Sequence, residues 1–326
     1  MSPRKRGYVA LCYHYIRPAT STDKFSKLRG LSQQMFRQHV EMLLEHYQII
    51  SPHDAISFSR DAYEFPNGKS GILLTFDDGL SDHYAASEIL HDYGLKALLF
   101  LPTCALIDRL PANPNIIHYC VARYGVKRLL ARYEAALDLF NVTDANFEIH
   151  YDPQQETDNI EALKHRLNYL ISPATSRRIF LNIYDDLLAH EFPNAIELIH
   201  LSKIQVTRIL GWGHALGAHS HTHVSLGAPG LSRTQLRAEL LGPKDFLEQI
   251  FDVRINALAY PFGETKDCLT TAQLRSHTSA YTLAFNGKST LNTRSTPSLE
   301  LGRYMVMSTD STLHLQEIVG DIIAQG

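Results

Sequence analysis

An apolar run, Ile72-Leu73-Leu74-Thr75-Phe76, stops at two adjacent carboxylates and a glycine, Asp77-Asp78-Gly79. A run of that length closed by a glycine reads as a buried strand. Two acids at its end are costly unless they are paired or hold a cation. If the strand ran on through them they would point to opposite faces, so within one site they would do different work, one as ligand and one as base. Taken alone, Asp-Asp-Gly is ordinary turn chemistry. What favours chemistry over a plain turn lies downstream, in Ala218-His219-Ser220-His221-Thr222-His223. His219 and His223 stand four apart, so a helical turn would put both imidazoles on one side; an extended segment would put all three histidines on one face. One carboxylate and two imidazoles, with water completing the shell, suit a catalytic divalent metal.

A third motif follows, Tyr260-Pro261-Phe262-Gly263. Thr-Phe-Asp-Asp-Gly, the histidine pair and Tyr-Pro-Phe-Gly, in that order, resemble the polysaccharide deacetylases with a NodB-like domain (carbohydrate esterase family 4). The resemblance covers residues 7 to 103 and 205 to about 310; the hundred residues between are covered poorly. It implies a hydrolase of linear amide C–N bonds that removes an N-acetyl or other acyl group from an amino sugar or glycan. It also implies Asp78, His219 and His223 as metal ligands and Asp77 as the base. With mixed N and O ligands zinc is the expected metal, and cobalt, nickel or manganese would also fit. His221, between the ligands, is expected to sit just behind the ligating groups and not among them.

The chain departs from the family pattern in three places. Many members carry an arginine two residues before the proline of the third motif, paired with the base; here that residue is Ala259. Arg303, in Leu301-Gly302-Arg303-Tyr304, is the candidate substitute, although an arginine at a strand start is usually a surface ion pair. The late Leu-x-His motif, whose histidine is often the acid, has no clear counterpart, because His314 follows Leu313 directly and lies in a helical pattern. His14, after Tyr13 at the end of the first strand, is therefore the expected acid. Phe262 replaces the usual tyrosine, which leaves its backbone N–H to hold an oxyanion. Tyr260, Pro261, Phe262 and Arg303 are expected on the substrate side.

The elements that must position these groups alternate. Strands are expected over Tyr8 to Tyr15, Ile72 to Phe76, Lys96 to Pro102, Ala215 to Ala218, Ile255 to Tyr260, Tyr281 to Phe285 and Arg303 to Met307. Between them, Ser32 caps a helix from Gln33 to His46 with Phe36, Val40, Leu43 and Leu44 inward. Ser81 or Asp82 caps one through His91 with Ala85, Ile89 and Leu90 inward, and Ser232 caps one from Arg233 to Phe251. The rhythm argues for parallel strands with helical crossovers, hence an α/β fold, a distorted (β/α)7-type barrel formed by residues 1–103 and 205–326. Residues 104–204 read as a helical insertion or lid, with helices over Ile116 to Tyr124, Val126 to Phe140, Ile160 to Leu170 and Thr175 to Glu191. Such barrels carry their chemistry at the C-terminal strand ends, where Asp77, Asp78, His219, Pro261 and His14 all fall.

The chain has 326 residues, 44% hydrophobic and 20% charged, with a net charge of −3. That balance gives no basic excess for nucleic acid. The start, Met1 to Arg6, is positive, but the apolar stretch after it is cut by His14 and Arg17 and is too short for a signal-peptide core. No run approaches the roughly 20 apolar residues of a membrane helix. The expectation is a cytoplasmic protein acting on a glycan precursor. Cys12, Cys104, Cys120 and Cys268 have no CxxC spacing and read as buried thiols.

Overall fold

The computed structural model describes residues 6–18, 23–66, 69–228 and 230–326; the positive start from Met1 to Lys5 lies outside them. The chain opens with strand β1 (Gly7–Tyr13), a short pair β2 (Ile16–Arg17) and β3 (Leu31–Ser32), then α1 (Gln33–His46), β4 (Gln48–Ile50) and α2 (Pro52–Ser59). The motif strand β5 (Gly71–Phe76) leads through α3 (Asp82–Asp92) to β6 (Leu98–Leu101). A helical stretch follows: α4 (Cys104–Ile107), α5 (Asn113–Tyr124), α6 (Val126–Leu139), α7 (Glu156–His165), α8 (Pro173–Tyr184), α9 (Ala195–Ile199) and α10 (Lys203–Gly211). The chain then returns through β7 (Ala215–Ala218), α11 (Arg233–Phe251), β8 (Ala257–Ala259), α12 (Thr271–His277), β9 (Leu283–Phe285), β10 (Asn292–Thr293), β11 (Arg303–Met305) and α13 (Thr312–Gln325).

Strands β1, β5, β6, β7, β8 and β9 lie side by side in parallel, and β11 pairs with the free side of β1. One parallel bridge, Phe285 to Leu301, closes the ring between β9 and the residues leading into β11. Seven parallel strands thus form the expected distorted barrel, with β4 and the antiparallel β10 widening its N-terminal end. Strand alternation divides the core. Val9, Leu11, Tyr13, Ile72, Leu74 and Phe76 face the surrounding helices. Ala10, Leu73, Phe100, Ala257, Ala259 and Phe285 fill the interior, with Phe58 and Phe65 packed against them. Gly217 leaves room for this filling, since a Cβ there would stand 2.4 Å from the Phe100 ring.

Local signals in the sequence account for most boundaries. Ser232 accepts from Gln235 N while Gln235 reaches back to the Ser232 backbone, a reciprocal cap that starts α11 where the sequence places it. Ser32 caps α1 through Met35 N. Three expectations are corrected. Leu44 on α1 is exposed rather than inward. Neither Ser81 nor Asp82 caps α3: the Ser81 hydroxyl is taken by Leu198 O, and the inward alanine is Ala86, not Ala85. Cys268 is half-buried, whereas the other three free thiols are buried.

The helices between β6 and β7 carry a separate hydrophobic cluster, with Tyr119, Leu129, Tyr133, Leu163, Phe180 and Leu188 at its centre. Two of them run on into π turns, Arg166–Leu170 and Asp185–Ala189. Among the described residues no helix is long and apolar enough to cross a membrane.

Candidate active site

The motif residues meet at the C-terminal end of the barrel. β5 stops at Phe76, and Asp77 keeps the strand's inward direction. Asp78 does not point the opposite way, because its φ of 73° turns the chain. Ser220, His223 and Phe262 also have positive φ, at 55°, 63° and 63°. Of the eight non-glycine residues with positive φ among those described, four therefore lie here, and strain so concentrated marks a functional site more often than a plain loop. The histidine segment is neither helix nor strand. It is a turn held by Ser220 Oγ, which accepts from His223 N at 2.9 Å.

His219 donates from Nδ1 to Ala259 O at 2.9 Å, which fixes its tautomer and aims Nε2 at the carboxylates. That Nε2 lies 3.5 Å from Asp78 Oδ1, and His223 Nε2 lies 3.2 Å from the same oxygen. Asp78 Oδ1 is buried and makes no hydrogen bond. Three buried donor atoms, one each from Asp78, His219 and His223, thus converge. Donors about 2.1 Å from a tetrahedral ion stand about 3.4 Å apart, so the observed separations fit a cation shared by the three. Burial pushes Asp78 up, and the His223 and His219 imidazoles outweigh it, so the carboxyl sits well below its usual range.

Asp77 has a different partner. Arg303 reaches from β11 behind β1 and makes two parallel bonds, Nη1 to Oδ1 at 2.6 Å and Nη2 to Oδ2 at 2.7 Å. Its Nη1 also donates to Thr75 Oγ1 at 3.3 Å, and its guanidinium lies 5.2 Å from the Phe100 ring centre. Arg303 is 1% exposed, which corrects two expectations: it is neither a surface ion pair nor open to a ligand. Burial raises the Asp77 pKa, but Arg303 and then His219 hold it below the ordinary carboxylate range. With Asp77 neutralised by Arg303, the Asp78 charge is left to favour a cation.

His14 follows the end of β1, and one of its ring nitrogens lies within 4.8 Å of an Asp77 oxygen and of Cys12 Sγ. Its backbone carbonyl accepts from His83 Nε2 at 2.9 Å. Burial pushes its pKa down against the pull of Asp78 and Asp77. His314 is exposed on the first turn of α13, beside Asp310 and Glu317. His221 faces Asp108 and Thr103, at 2.9 and 3.0 Å. Phe262 packs edge-on to His223, ring centres 4.8 Å apart, whereas Tyr260 is buried with its hydroxyl on Leu269 O. Phe262 therefore borders the site, and the Tyr260 side chain does not open onto it.

Three polar residues around the site carry no sequence signal. His200 donates from Nδ1 to Asp78 O at 3.0 Å and accepts from Ala112 N; burial lowers its pKa to about 4, which keeps it neutral. His83 holds the His14 backbone, as above. Asn115, on α5 and wholly buried, donates to Asp78 Oδ2 at 3.1 Å.

A family model described as polysaccharide deacetylase matches residues 130–279. The match takes in His219, His223 and the Tyr260–Gly263 motif, begins within α6 and leaves Asp77 and Asp78 outside. Over those residues the chain is similar to the polysaccharide deacetylases, and solved deacetylases share its fold. Among solved structures it is similar to the Streptococcus pyogenes deacetylase PplD in complex with acetate, at 16% identity and a TM-score of 0.57 over 98% of this chain and 99% of that one. IcaB from Ammonifex degensii matches at 15% identity and 0.58, over 97% and 98%. A de-N-acetylase from Aggregatibacter actinomycetemcomitans matches at 14% and 0.55, over 95% and 99%. No curated protein matches the chain in sequence.

Proposed function

We propose that the protein is a metal-dependent hydrolase that removes an N-acyl group, foremost acetyl, from an amino sugar or glycan. The observation that carries this reading is the buried Asp78 Oδ1, without a hydrogen bond, facing two imidazole nitrogens, beside a second carboxylate that Arg303 keeps apart. Asp78, His219 and His223 hold a divalent cation, zinc being the first candidate and cobalt, nickel or manganese the others. The cation supplies Lewis acidity towards the acyl carbonyl and the attacking water.

The remaining steps belong to the chain. Asp77 accepts the proton of the attacking water; each of its oxygens keeps a lone pair beside the one used by Arg303, and Arg303 holds it ionised and in one orientation. His14 gives a proton to the departing nitrogen; its lowered pKa makes it a stronger acid and a less populated one. The Phe262 backbone N–H is the donor for the developing oxyanion. The helices between β6 and β7 form an insertion on the barrel that walls one side of the substrate cleft, and the matching polysaccharide deacetylase family model, with a polysaccharide deacetylase from Bacillus cereus of similar fold, supports a glycan as substrate.

Acetate release from a panel of N-acetylated mono- and oligosaccharides tests this. Wild-type protein should lose activity with a chelator and regain it with zinc or cobalt. Asp77→Asn, with folding checked by circular dichroism, should keep the metal and lose at least about 100-fold in rate. Release unaffected by both chelator and Asp77→Asn would overturn the proposal.

A further inference from the structure

The two oxygens of Asp78 are not equivalent, and the difference originates outside the barrel. Oδ1 faces His219 and His223 and has no hydrogen bond. Oδ2 accepts from Asn115 Nδ2 at 3.1 Å, and Asn115 sits in the first turn of α5. The other hydrogen of the same amide goes to Tyr15 Oη at 3.0 Å. The Tyr15 hydroxyl, accepting there, is free to donate to His118 Nδ1 at 2.9 Å. Only a donor can face a carboxylate at this distance, so the amide orientation is fixed by its partners. Both hydrogens of Asn115 are used, while its Oδ1 is buried without a partner. An amide that leaves its acceptor unsatisfied in a closed interior has an unfavourable placement on packing grounds alone; what it gains is control of Asp78.

We infer that Asn115 is a positioning residue for the metal centre: it engages Oδ2 of Asp78, presents Oδ1 to the cation, and so couples the helices between β6 and β7 to metal affinity. The inference rests on the metal-site reading above and deepens it. By linkage, a contact that orients the ligand when α5 is docked must also be strengthened when the cation is bound. Removing a partner that orients a ligating group typically weakens metal binding about 10- to 100-fold.

The test is zinc affinity of the full chain by competition with a chromophoric chelator, for wild type, Asn115→Leu and Tyr15→Phe, together with amide hydrogen exchange of wild type with and without zinc. Asn115→Leu, close in volume and without donors, should raise the zinc Kd about 10- to 100-fold. Tyr15→Phe leaves the Asp78 contact in place and should shift it less. Zinc should slow exchange of the α5 amides in wild type, a readout that needs no variant to fold. An unchanged Kd in a folded Asn115→Leu protein overturns the inference and leaves the metal site standing, as does zinc binding with no added protection of α5. Wild-type protein that binds no zinc, cobalt, nickel or manganese overturns the metal-site reading itself.

Discussion

Replacing Arg303 by methionine removes the guanidinium and keeps an apolar chain of similar reach. Asp77 is then left in the barrel with 3% of its side chain exposed and without the bonds at 2.6 and 2.7 Å. Two unit charges about 4 Å apart at an effective dielectric of about 20 are worth about 4 kcal/mol. Breaking a buried pair by removing one partner costs about 3–5 kcal/mol. The two figures agree, so urea unfolding of Arg303→Met at pH 7, with chelator present, should show a loss of about 3–5 kcal/mol. The double variant Asp77→Asn/Arg303→Met, which leaves no bare charge, should recover more than half of it.

The pH dependence has a definite sign. In wild type the Asp77 pKa is held below its unfolded value, about 3.9; its contribution is fully present above that pH and is lost as pH falls towards the folded value. Without Arg303, burial, the largest influence on this carboxyl, raises its folded pKa instead. The penalty of Arg303→Met should therefore be largest at neutral pH and shrink as acid protonates Asp77. A loss below about 1 kcal/mol, as for an exposed pair, or the same loss at pH 4 and pH 7, would refute this account of the pair.

Two further outcomes are expected. His14→Ala should lower acyl hydrolysis about 100- to 10,000-fold with metal content unchanged; an unchanged rate would pass protonation of the leaving nitrogen to solvent. Gly217→Ala puts a Cβ 2.4 Å from the Phe100 ring beside Arg303 and should cost about 1–3 kcal/mol by overpacking, read from the denaturant midpoint; no measurable shift would mean that the ring moves aside freely.

Much of the scaffold was legible because it is encoded locally. The Ser232 cap, the apolar runs of β5 and β6 and the heavily helical spacing after Cys104 each depend on residues within a turn or two. The convergence of Asp78 with His219 and His223 was also legible, through motif order. What local pattern could not reveal was partnership across the barrel. Arg303 pairs with Asp77 only because β11 and β5 flank β1, with Ala10 opposite Arg303 and Cys12 opposite Thr75. Asn115, on α5, and His200, just past the end of α9, are ordinary polar residues until the fold brings them to Asp78. Nor could spacing decide between helix and strand for His219 to His223, since positive φ at Ser220 and His223 makes the segment neither.

The ring has a seam beside the Phe285–Leu301 bridge, where Ala284 and Asn286 make backbone hydrogen bonds with Ser298 and Leu301. β11 is secured instead by three registered pairs to β1. The arginine that governs Asp77 is thus moored to the opening strand of the chain, and so is the stretch that delivers it, through the β10 pairing with β1 and the two bonds between the Asn292 amide and the Gly302 backbone. Over evolutionary time change is accordingly easier at the exposed turn of Arg294 and Ser295 than at buried Asn292, whose loss would loosen the backbone just before Arg303.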